Sequence, residues 1–541
     1  MMKKTQKIVT DLPNGITLLI KTLSLSSIDN KQIPLDVHKS VLIYLKNIFL
    51  SQMKNLNEEQ LSNYLLQLFE LALNSNKINQ NFNNPVMLNI FQNMVTNILS
   101  SQNMYAKQEY IVQLFNILLN KIKSETKENF LQTGKIVILL CTSLLSSKSA
   151  NQNYIEILNN YYLPIVNIVF ANVPNFLDPK KNYYNNEFIS ILKNLFDGFY
   201  TNLSKTRGIL EASKRKEIAI KFFREYGVYS YELIQLSPPM DEASAKKYGK
   251  PNPIIVFNDN EKLCSEINFM KSKAIQFLSF ITQMSTIEEK NDEENKNYIN
   301  EKDLVELINK IIFLIVNTFE DILNSKEKFY FLRKYKPESN EEEDCYNILL
   351  FQICVFLTRS LIREPIKTNF ATHIKQFLLN ILFPMIVTID DEEEFLEMDP
   401  EGYHQYINDI SSDFKIKNFR TSGCFLINKI CERYDDMCNF VLSFNIEMLN
   451  YIINEGNIKT DLEYNIYLNN IKDALINKFN DKIKIDFTLL IILILKDRLK
   501  KNSFLKNKVR DILINNQDKI HSIPFPIIKI KLCKIYNFFL P

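Results

Sequence analysis

The stretch Asn63–Leu73, NYLLQLFELAL, decides the fold class of this chain. Its apolar residues recur at intervals of three and four, the spacing that places side chains on one face of an α-helix. The same spacing is present at 110–119, 188–200 and 304–323. Alternating strand patterns are nearly missing, and the prolines fall mainly between the apolar segments, where helix breakers belong. The sequence therefore predicts an all-α protein.

Helical segments separated by short polar breaks follow one another through all 541 residues. Because a single hydrophobic core does not grow to that size, stacked helical hairpins that bury their faces on neighbours are the natural architecture. No strict repeat is visible, which is typical of HEAT repeats, with their period of about 40–47 residues and low sequence fidelity. We expect a HEAT-repeat α-solenoid, a superhelix of stacked helical hairpins.

The composition argues against several functional classes. A net charge of +3 gives no reason to expect binding to nucleic acid or to an anionic membrane. Nine scattered glycines supply no phosphate-binding loop, so Rossmann and P-loop chemistry are not expected. Four histidines without an HExxH or a Cys/His cluster give no basis for zinc, and no GxSxG motif occurs. We expect no cofactor, no metal and no enzymatic activity.

The cysteines and the apolar runs predict a soluble intracellular protein. Eight cysteines without a CxxC pair point to a reducing compartment. Cys424, Cys431 and Cys438 recur every seven residues, which predicts one helical stripe of buried core thiols. Seven residues of helix span about 10.5 Å, too far for a shared metal ion. No signal peptide is apparent, and the longest apolar run, Phe487–Leu495, is far shorter than the about 20 residues that span a bilayer.

A dense acidic stretch, Asp390–Tyr403 or DDEEEFLEMDPEGY, interrupts the helical pattern. An EF-hand calcium loop needs a glycine at position 6, but counting from Asp390 places Phe395 there, so calcium binding is not expected. Two interpretations stay open. The stretch is either a solvated loop or a site that attracts a basic partner, with a rate advantage that salt screens.

The flanks of this stretch carry a family resemblance. Phe383-Pro384 ends an apolar helix before it, Asp399-Pro400 and Tyr403 lie within it, and residues 420–423, Arg-Thr-Ser-Gly, open the next helix. In this order the segment 378–433 resembles the importin-β-type nuclear transport receptors. The resemblance is greatest to the branch of importins seven and eight, and second greatest to the CAS-type exportin.

Two weaker similarities precede it in the expected order. Val37–Ile48, VHKSVLIYLKNI, resembles the Leu-Lys-Asn helix of the importin-β N-terminal domain, and Asn268–Phe277, NFMKSKAIQF, resembles the helix before the long middle insert. The resemblance implies importin-β N-terminal-like HEAT repeats at 1–120. Central repeats follow at 121–380, with long inserts at 236–262, 286–302 and 335–345. The repeats at 381–541 follow the acidic insert at 389–402, and the array is expected to be truncated at its C-terminus.

The function implied by the resemblance is transport of protein cargo through nuclear pores under control of the Ran GTPase, with import favoured over export. In such receptors the N-terminal repeats hold Ran in its GTP form, acidic loops and concave faces hold basic cargo, and shallow apolar slots between outer helices take FG repeats of nucleoporins. The implied location is the nucleus, the cytoplasm and the nuclear pore. We expect a monomer that binds neither nucleic acid nor membrane directly.

The candidate residues for binding Ran or cargo are Asp390, Asp391, Glu392, Glu393, Glu394, Glu397, Asp399 and Tyr403, and those for a Ran-facing N-terminal surface are His38, Lys46 and Asn47. A structural role for Asn47, satisfying the backbone near a helix end, is the competing interpretation. The alternative function is a HEAT-repeat scaffold or adaptor for complex assembly that does not depend on Ran.

Overall fold

A computed structural model describes residues 12–25, 27–28, 31–74, 84–99, 108–146, 154–178, 183–257, 260–284, 301–334, 344–386, 396–403, 419–453, 481–521 and 525–539. The chain divides into two compact units, Met1–Ile218 and Ala219–Pro541. Helices make up nearly all of the described regular structure in both units. The strands form two short antiparallel ribbons in the first unit, which pair Ser27–Ile28 with Lys31–Gln32 and Leu177–Asp178 with Tyr183–Tyr184.

The first unit is a succession of helices with short joints. Its elements in chain order are α1 (Leu12–Ser24), β1 (Ser27–Ile28), β2 (Lys31–Gln32), α2 (Leu35–Gln52), α3 (Glu58–Asn74), α4 (Pro85–Leu99), α5 (Gln108–Ser124), α6 (Phe130–Ser146), α7 (Tyr154–Ile157), α8 (Leu163–Ala171), α9 (Val173–Phe176), β3 (Leu177–Asp178), β4 (Tyr183–Tyr184) and α10 (Asn186–Lys205). A π-helical turn, Leu158–Tyr162, makes α7 and α8 continuous, and 3₁₀ turns follow α2 at Met53–Asn55 and α10 at Thr206–Gly208.

The second unit continues the same architecture, and the division between the units falls inside its first helix. Its elements are α11 (Ala212–Ile234), α12 (Glu242–Tyr248), α13 (Glu261–Met284), α14 (Glu301–Asn324), α15 (Lys326–Lys334), α16 (Cys345–Ser360), α17 (Glu364–Ala371), α18 (Ile374–Phe377), α19 (Phe383–Ile386), α20 (Phe419–Arg433), α21 (Asp435–Ile453), α22 (Asp481–Ile494), α23 (Lys496–Lys501), α24 (Ser503–Asn515), α25 (Gln517–His521) and α26 (Pro526–Phe539). A second π-helical turn, Leu378–Leu382, joins α18 to α19.

Helices of the first unit pack in two layers, in which alternate helices of the chain lie side by side. In the first unit α2, α4, α6 and α10 form one layer, and α1, α3, α5 and α8 form the other. The contact between α10 and α6 is the most extensive there, and it depends on a glycine: a Cβ on Gly198 would lie 2.5 Å from Thr142 Oγ1. In the second unit α13, α16, α20, α22 and α26 pack in sequence. Stacking of this kind is how a helical repeat buries the apolar face of each unit.

The helices follow from local sequence signals. Each of the four segments with helical spacing lies within a helix, α3, α5, α10 or α14, and the apolar run that starts at Phe487 is buried in α22. Polar side chains cap several of them: Asn185 Oδ1 accepts from Phe188 N at 2.9 Å to start α10, and Asp344 Oδ1 accepts from two backbone N–H groups at the start of α16. Gly249, at φ 72°, ends α12.

The predicted three-part division does not coincide with the ends of helices. Residues 120 and 121 both lie inside α5, and residues 380 and 381 both lie inside the π-helical turn after α18, so a boundary at either position would cut a helix. The first predicted insert, 236–262, contains the helix α12. The inserts at 286–302 and 335–345 lie almost wholly outside the described residues.

Candidate functional site

Of the acidic insert at 389–402, the structure describes only residues 396–402. Asp390, Asp391, Glu392, Glu393 and Glu394 lie outside the described residues. The helix before the insert ends at Ile386, residues 396–403 form two short helical turns, and α20 begins at Phe419. We use the name insert base for Ile386, residues 396–403 and residues 420–423.

Residues 399–403 form a capped helical turn. Asp399 Oδ1 accepts a hydrogen bond from Gly402 N at 2.8 Å, and the Asp399 carbonyl accepts from Tyr403 N at 2.9 Å. Pro400 follows the cap, where its fixed backbone and missing N–H suit the first helical position. The Asp399 carboxylate therefore supports the turn, while Glu397 and Glu401 are exposed and the Met398 side chain is 79% exposed.

Tyr403 is fully buried, at 0% exposure. A partner protein cannot reach its ring in this conformation, so its position indicates an anchor that fixes the end of the turn in the core. Of the candidates in the insert, Glu397 and Asp399 are exposed, and Tyr403 is not.

Arg420, at the start of α20, joins the end of α19 to the core. Its Nε donates to the Ile386 carbonyl at 2.7 Å, and its Nη2 lies 2.9 Å from Asp486 Oδ2 on α22. Lys531 Nζ on α26 forms a second ion pair with Asp486. All three side chains are buried, with 3% exposure or less. Removing one member of such a buried network costs about 3–5 kcal/mol, because it leaves an uncompensated charge.

The small residues after Arg420 allow a close helix contact. A Cβ added to Gly423 would lie 2.8 Å from Ile386 Cγ2 and 3.3 Å from Met385 Cβ. Thr421 and Ser422 are buried beside it. The Arg-Thr-Ser-Gly segment that marked the resemblance is thus explained by packing: it closes the insert base against α19.

The N-terminal candidates occupy different environments on α2. His38 is 1% exposed, and its Nε2 lies 3.2 Å from the Leu25 carbonyl, so its position indicates a structural contact. Lys46 is half-buried and Asn47 is exposed. Asn47 lies within α2 and not at its end, so the expectation that it satisfies the backbone near a helix end is wrong. Its exposed side chain leaves it available to a partner.

Asn47 belongs to a partly apolar exposed face. Ile43, Tyr44 and Leu50 are 38%, 39% and 53% exposed on the same side of α2, spaced so that they neighbour Asn47 on the helix. The exposed side of α2 is therefore suited to a contact with another protein, whereas its buried side packs against α1 and α4.

The polar residues of the Asn268–Phe277 match are structural. The Asn268 side chain pairs with the backbone of Val256, accepting from its N–H at 3.0 Å and donating to its carbonyl at 3.1 Å. Lys271 Nζ donates to the Ile254 carbonyl, and burial lowers the pKa of this amine to about 7. Together they attach the non-helical segment 254–257 to α13.

A groove of about 520 Å³ lies between α11 and α14. Its lining residues on α14 recur at helical spacing along one stripe, and α11 contributes a tyrosine; they are Tyr231, Lys302, Val305, Glu306, Asn309, Lys310 and Phe313. Phe313 is 65% exposed. Glu306 Oε1 and Lys310 Nζ pair at 2.7 Å along the groove. Hydrogen bonding and charge attraction to Lys310 lower the pKa of Glu306. An apolar floor with a few polar groups suits an aromatic side chain of a peptide.

Several residues of these sites escaped the sequence analysis. Asp486 and Lys531 gave no signal, because partners 45 residues apart are joined only by the stacking of α22 and α26. The groove could have been predicted from the sequence, because Val305, Asn309 and Phe313 lie on the face of α14 opposite the predicted core stripe. An exposed phenylalanine there distinguishes this helix face from an ordinary solvated one.

Within the described ranges, no group of three or more His, Cys, Asp or Glu side chains lies close enough together to hold a metal ion. Across the same residues, no single helix has the length and apolar character needed to span a membrane. One bent pair, Cys345–Ser360 with Pro365–Ala371, meets those criteria by length and composition only.

No protein-family model and no curated protein matches the chain. Among solved structures, the chain is similar to the exportin Cse1 in its cargo-free, cytoplasmic state, with a TM-score of 0.51 and 11% sequence identity. The similarity covers 99% of this chain and 59% of the exportin chain, so this chain spans less than two thirds of that protein's length. The predicted fold class is confirmed: the chain is an all-α HEAT-repeat α-solenoid that shares its fold with an exportin.

Proposed function

We propose that this chain is a nuclear transport receptor of the importin-β superfamily, which carries protein cargo through nuclear pores under control of the Ran GTPase. The observation that carries the proposal is the likeness in fold to an exportin along 99% of the chain. The sequence resemblance around the acidic insert supports it independently. The proposed role is binding without catalysis, by a monomer located in the nucleus, the cytoplasm and the nuclear pore.

Ran dependence is tested by retention of the purified chain on immobilised Ran. The proposal expects retention on Ran loaded with a non-hydrolysable GTP analogue and little on Ran loaded with GDP. Substituting Asn47→Ala and Tyr44→Ala on the exposed side of α2 should weaken retention, whereas Leu18→Ala, an exposed apolar residue on α1, serves as the control. Equal retention on both nucleotide forms would favour the Ran-independent scaffold.

Import and export predict opposite couplings between Ran and cargo. An import receptor releases cargo when Ran-GTP binds, whereas an export receptor binds cargo more tightly, because the two ligands share one flexible scaffold. We propose import, on the resemblance to the importin seven and eight branch. A basic cargo peptide whose affinity rises in the presence of the Ran-GTP analogue would reverse that assignment.

The acidic insert is proposed to attract basic cargo or a basic patch of Ran. Replacing Asp390–Glu394 by the corresponding amides should lower the association rate at low salt by about tenfold, with a smaller effect at high salt. A control variant replaces Glu341–Glu343, three carboxylates of another insert, by glutamine, and its change per removed charge is compared with that of the first variant. An unchanged association rate in the first variant would identify the acidic insert as a solvated loop.

The groove between α11 and α14 is proposed as a slot for FG repeats. A phenylalanine from such a repeat would pack on Phe313 and Val305, which line the groove. Phe313→Ser should reduce retention on FG-repeat beads by about 5–30-fold, equivalent to about 1–2 kcal/mol. Phe504→Ser, at a phenylalanine that is 72% exposed elsewhere in the same unit, is the control. Equal loss in both variants would show nonspecific apolar adsorption and argue against the slot.

A further inference from the structure

A cavity of about 500 Å³ lies where three helices of the second unit meet, apart from the groove between α11 and α14. The end of α12, the end of α14 and the first turn of α15 form its walls. A cavity of this volume can hold a small ligand or one side chain of a partner. We call it the lysine cavity, because its charged lining residues are Lys246, Lys247, Lys250, Lys328, Asp321 and Glu327.

The walls of the lysine cavity are held in place by buried contacts. Lys328 Nζ donates to the Lys250 carbonyl at 2.7 Å and pairs with Asp321 Oδ2 at 2.7 Å, and the Lys328 side chain is 1% exposed. The ring of Tyr248 is buried at the end of α12, and its centre lies 5.7 Å from that of the Phe331 ring on α15. Because these contacts tie α12 to α14 and α15, the cavity is preformed.

The charges of the lysine cavity are unbalanced. Four lysines and two carboxylates line it, which gives the lining a net charge of +2. Asp321 is already neutralised, since its Oδ2 accepts from Lys328 Nζ and from Asn252 Nδ2, the latter at 2.6 Å. Within the ranges that the structure describes, neither Lys246 nor Lys250 forms an ion pair. The cavity therefore has cationic groups available to an anion.

The end of α12 explains only part of this lining. Lysines in the last turn of a helix stabilise its negative end, so Lys246 and Lys247 could serve α12 alone. Gly249, at φ 72°, then ends the helix in a conformation that glycine adopts without strain. Lys250 follows beyond the helix end and still lines the cavity. Its position indicates a cationic site and not merely a helix cap.

We propose that the lysine cavity binds a phosphate monoester. At neutral pH this group carries a charge between about −1.5 and −2, which matches the net charge of the lining, whereas a carboxylate carries about half as much. Lysine ammonium groups bind phosphate as point charges. The ligand is either a phosphorylated side chain of a partner protein or a small phosphorylated molecule, and both present the same group to the cavity.

The test uses the full chain and a rhodamine-labelled peptide that contains one phosphoserine among glycine and alanine residues. Fluorescence anisotropy at low salt should show saturable binding, and the same peptide without phosphate should bind at least about tenfold more weakly. Added salt should weaken the binding, because it screens charges at an open site. Competition with glycerol 3-phosphate separates the two sources. Displacement at equal concentration identifies a small phosphorylated molecule, and weaker displacement identifies a phosphorylated protein side chain.

Substitutions that change the charge of the lining in opposite directions give the sharpest readout. Lys246→Gln combined with Lys250→Gln should weaken binding of the phosphopeptide by at least about tenfold. Glu327→Gln should strengthen it by about two- to fivefold, because it removes the lining carboxylate that Lys328 does not neutralise. The matched control is Lys262→Gln combined with Lys501→Gln, which removes two exposed lysines elsewhere in the same unit and should leave the affinity unchanged.

The proposal is overturned if the two peptides bind equally, if neither binds at millimolar concentrations, or if the control variant weakens binding as much as the double variant in the cavity. Should that double variant fail to fold, Glu327→Gln decides the question, because Glu327 is exposed and only a site at this cavity predicts tighter binding. An unchanged affinity in Glu327→Gln would then overturn the proposal. The assay contains neither Ran nor basic cargo, so its outcome is independent of the proposed transport function.

Discussion

Lys271 should make the stability of the second unit depend on pH. Its amine is fully buried on α13 and donates to the Ile254 carbonyl. Burial lowers its pKa from 10.5 to about 7, although Cys264 acts weakly in the opposite direction. A shift of that size corresponds to a preference of about 5 kcal/mol for the neutral amine in the folded state. The perturbation is the substitution Lys271→Met, which keeps a long unbranched side chain and removes its charge.

The direction of the pH dependence follows from the number of protons that the folded and unfolded states bind. Between pH 7 and about pH 10 the unfolded chain keeps the proton on this amine while the folded chain has lost it, so unfolding takes up a proton and stability rises with pH. The limiting slope is about 1.4 kcal/mol per pH unit, which gives about 3 kcal/mol between pH 7 and pH 9.5. Below pH 7 both states carry the proton, and the destabilising effect of the buried charge is constant.

The assay is urea unfolding followed by far-UV circular dichroism, since the chain contains no tryptophan. The quantity to compare is the free energy of unfolding of the parent minus that of Lys271→Met, between pH 6.5 and 9.5. Lys205 and Lys534, whose pKa values burial lowers to about 8, act in the same direction but are common to both proteins and cancel. Lys262→Met, at an exposed lysine of the same helix, is the control. A parent-minus-variant difference that stays within about 0.5 kcal/mol over this range would refute the reasoning.

Three further substitutions test the packing. Gly423→Ala should lose about 1 kcal/mol of stability in urea titration, because crowding against Ile386 outweighs the gain in helix propensity; Gly208→Ala, which has open space for a Cβ, should not. Asp486→Asn should lower the unfolding free energy by about 3–5 kcal/mol, since two buried cations lose their carboxylate; a thermal midpoint equal to that of the parent would contradict this. Asn268→Ala should lose about 1–3 kcal/mol and increase amide hydrogen exchange at Val256, and unchanged exchange there would show that the side-chain pair is dispensable.

Most of the fold was predictable because helical spacing is a local signal. The segment 63–73 repeats apolar residues often enough to define its buried face, and the structure places Leu65, Leu68 and Ala72 in the core. The two-layer stacking follows from the same pattern, since a helix with one apolar face must bury it on a neighbour.

The features that the sequence did not predict depend on contacts between distant residues or on a single joint between helices. A lysine such as Lys271 is ordinarily expected at the surface, and its burial is explained by the hydrogen bond that it donates to the distant Ile254 carbonyl. The prediction that Cys424, Cys431 and Cys438 share one helical stripe was wrong for a different reason, since Cys438 lies on α21 and the other two lie on α20. One residue, Tyr434, carries the break between two helices, and neither proline nor glycine marks it.

The contact between Arg420 and Ile386 has a consequence for how this chain can change. The two residues are 34 positions apart, and their hydrogen bond closes the backbone between them at a fixed span. The entropy of closing a loop grows slowly with its length, by about 0.6 kcal/mol for each doubling. While this hydrogen bond is kept, a change in the number of residues that join Ile386 to Arg420 should therefore have a small thermodynamic cost. The insert base is in effect a grafting point, where new recognition sequences can be installed while the helical stack is left as it is.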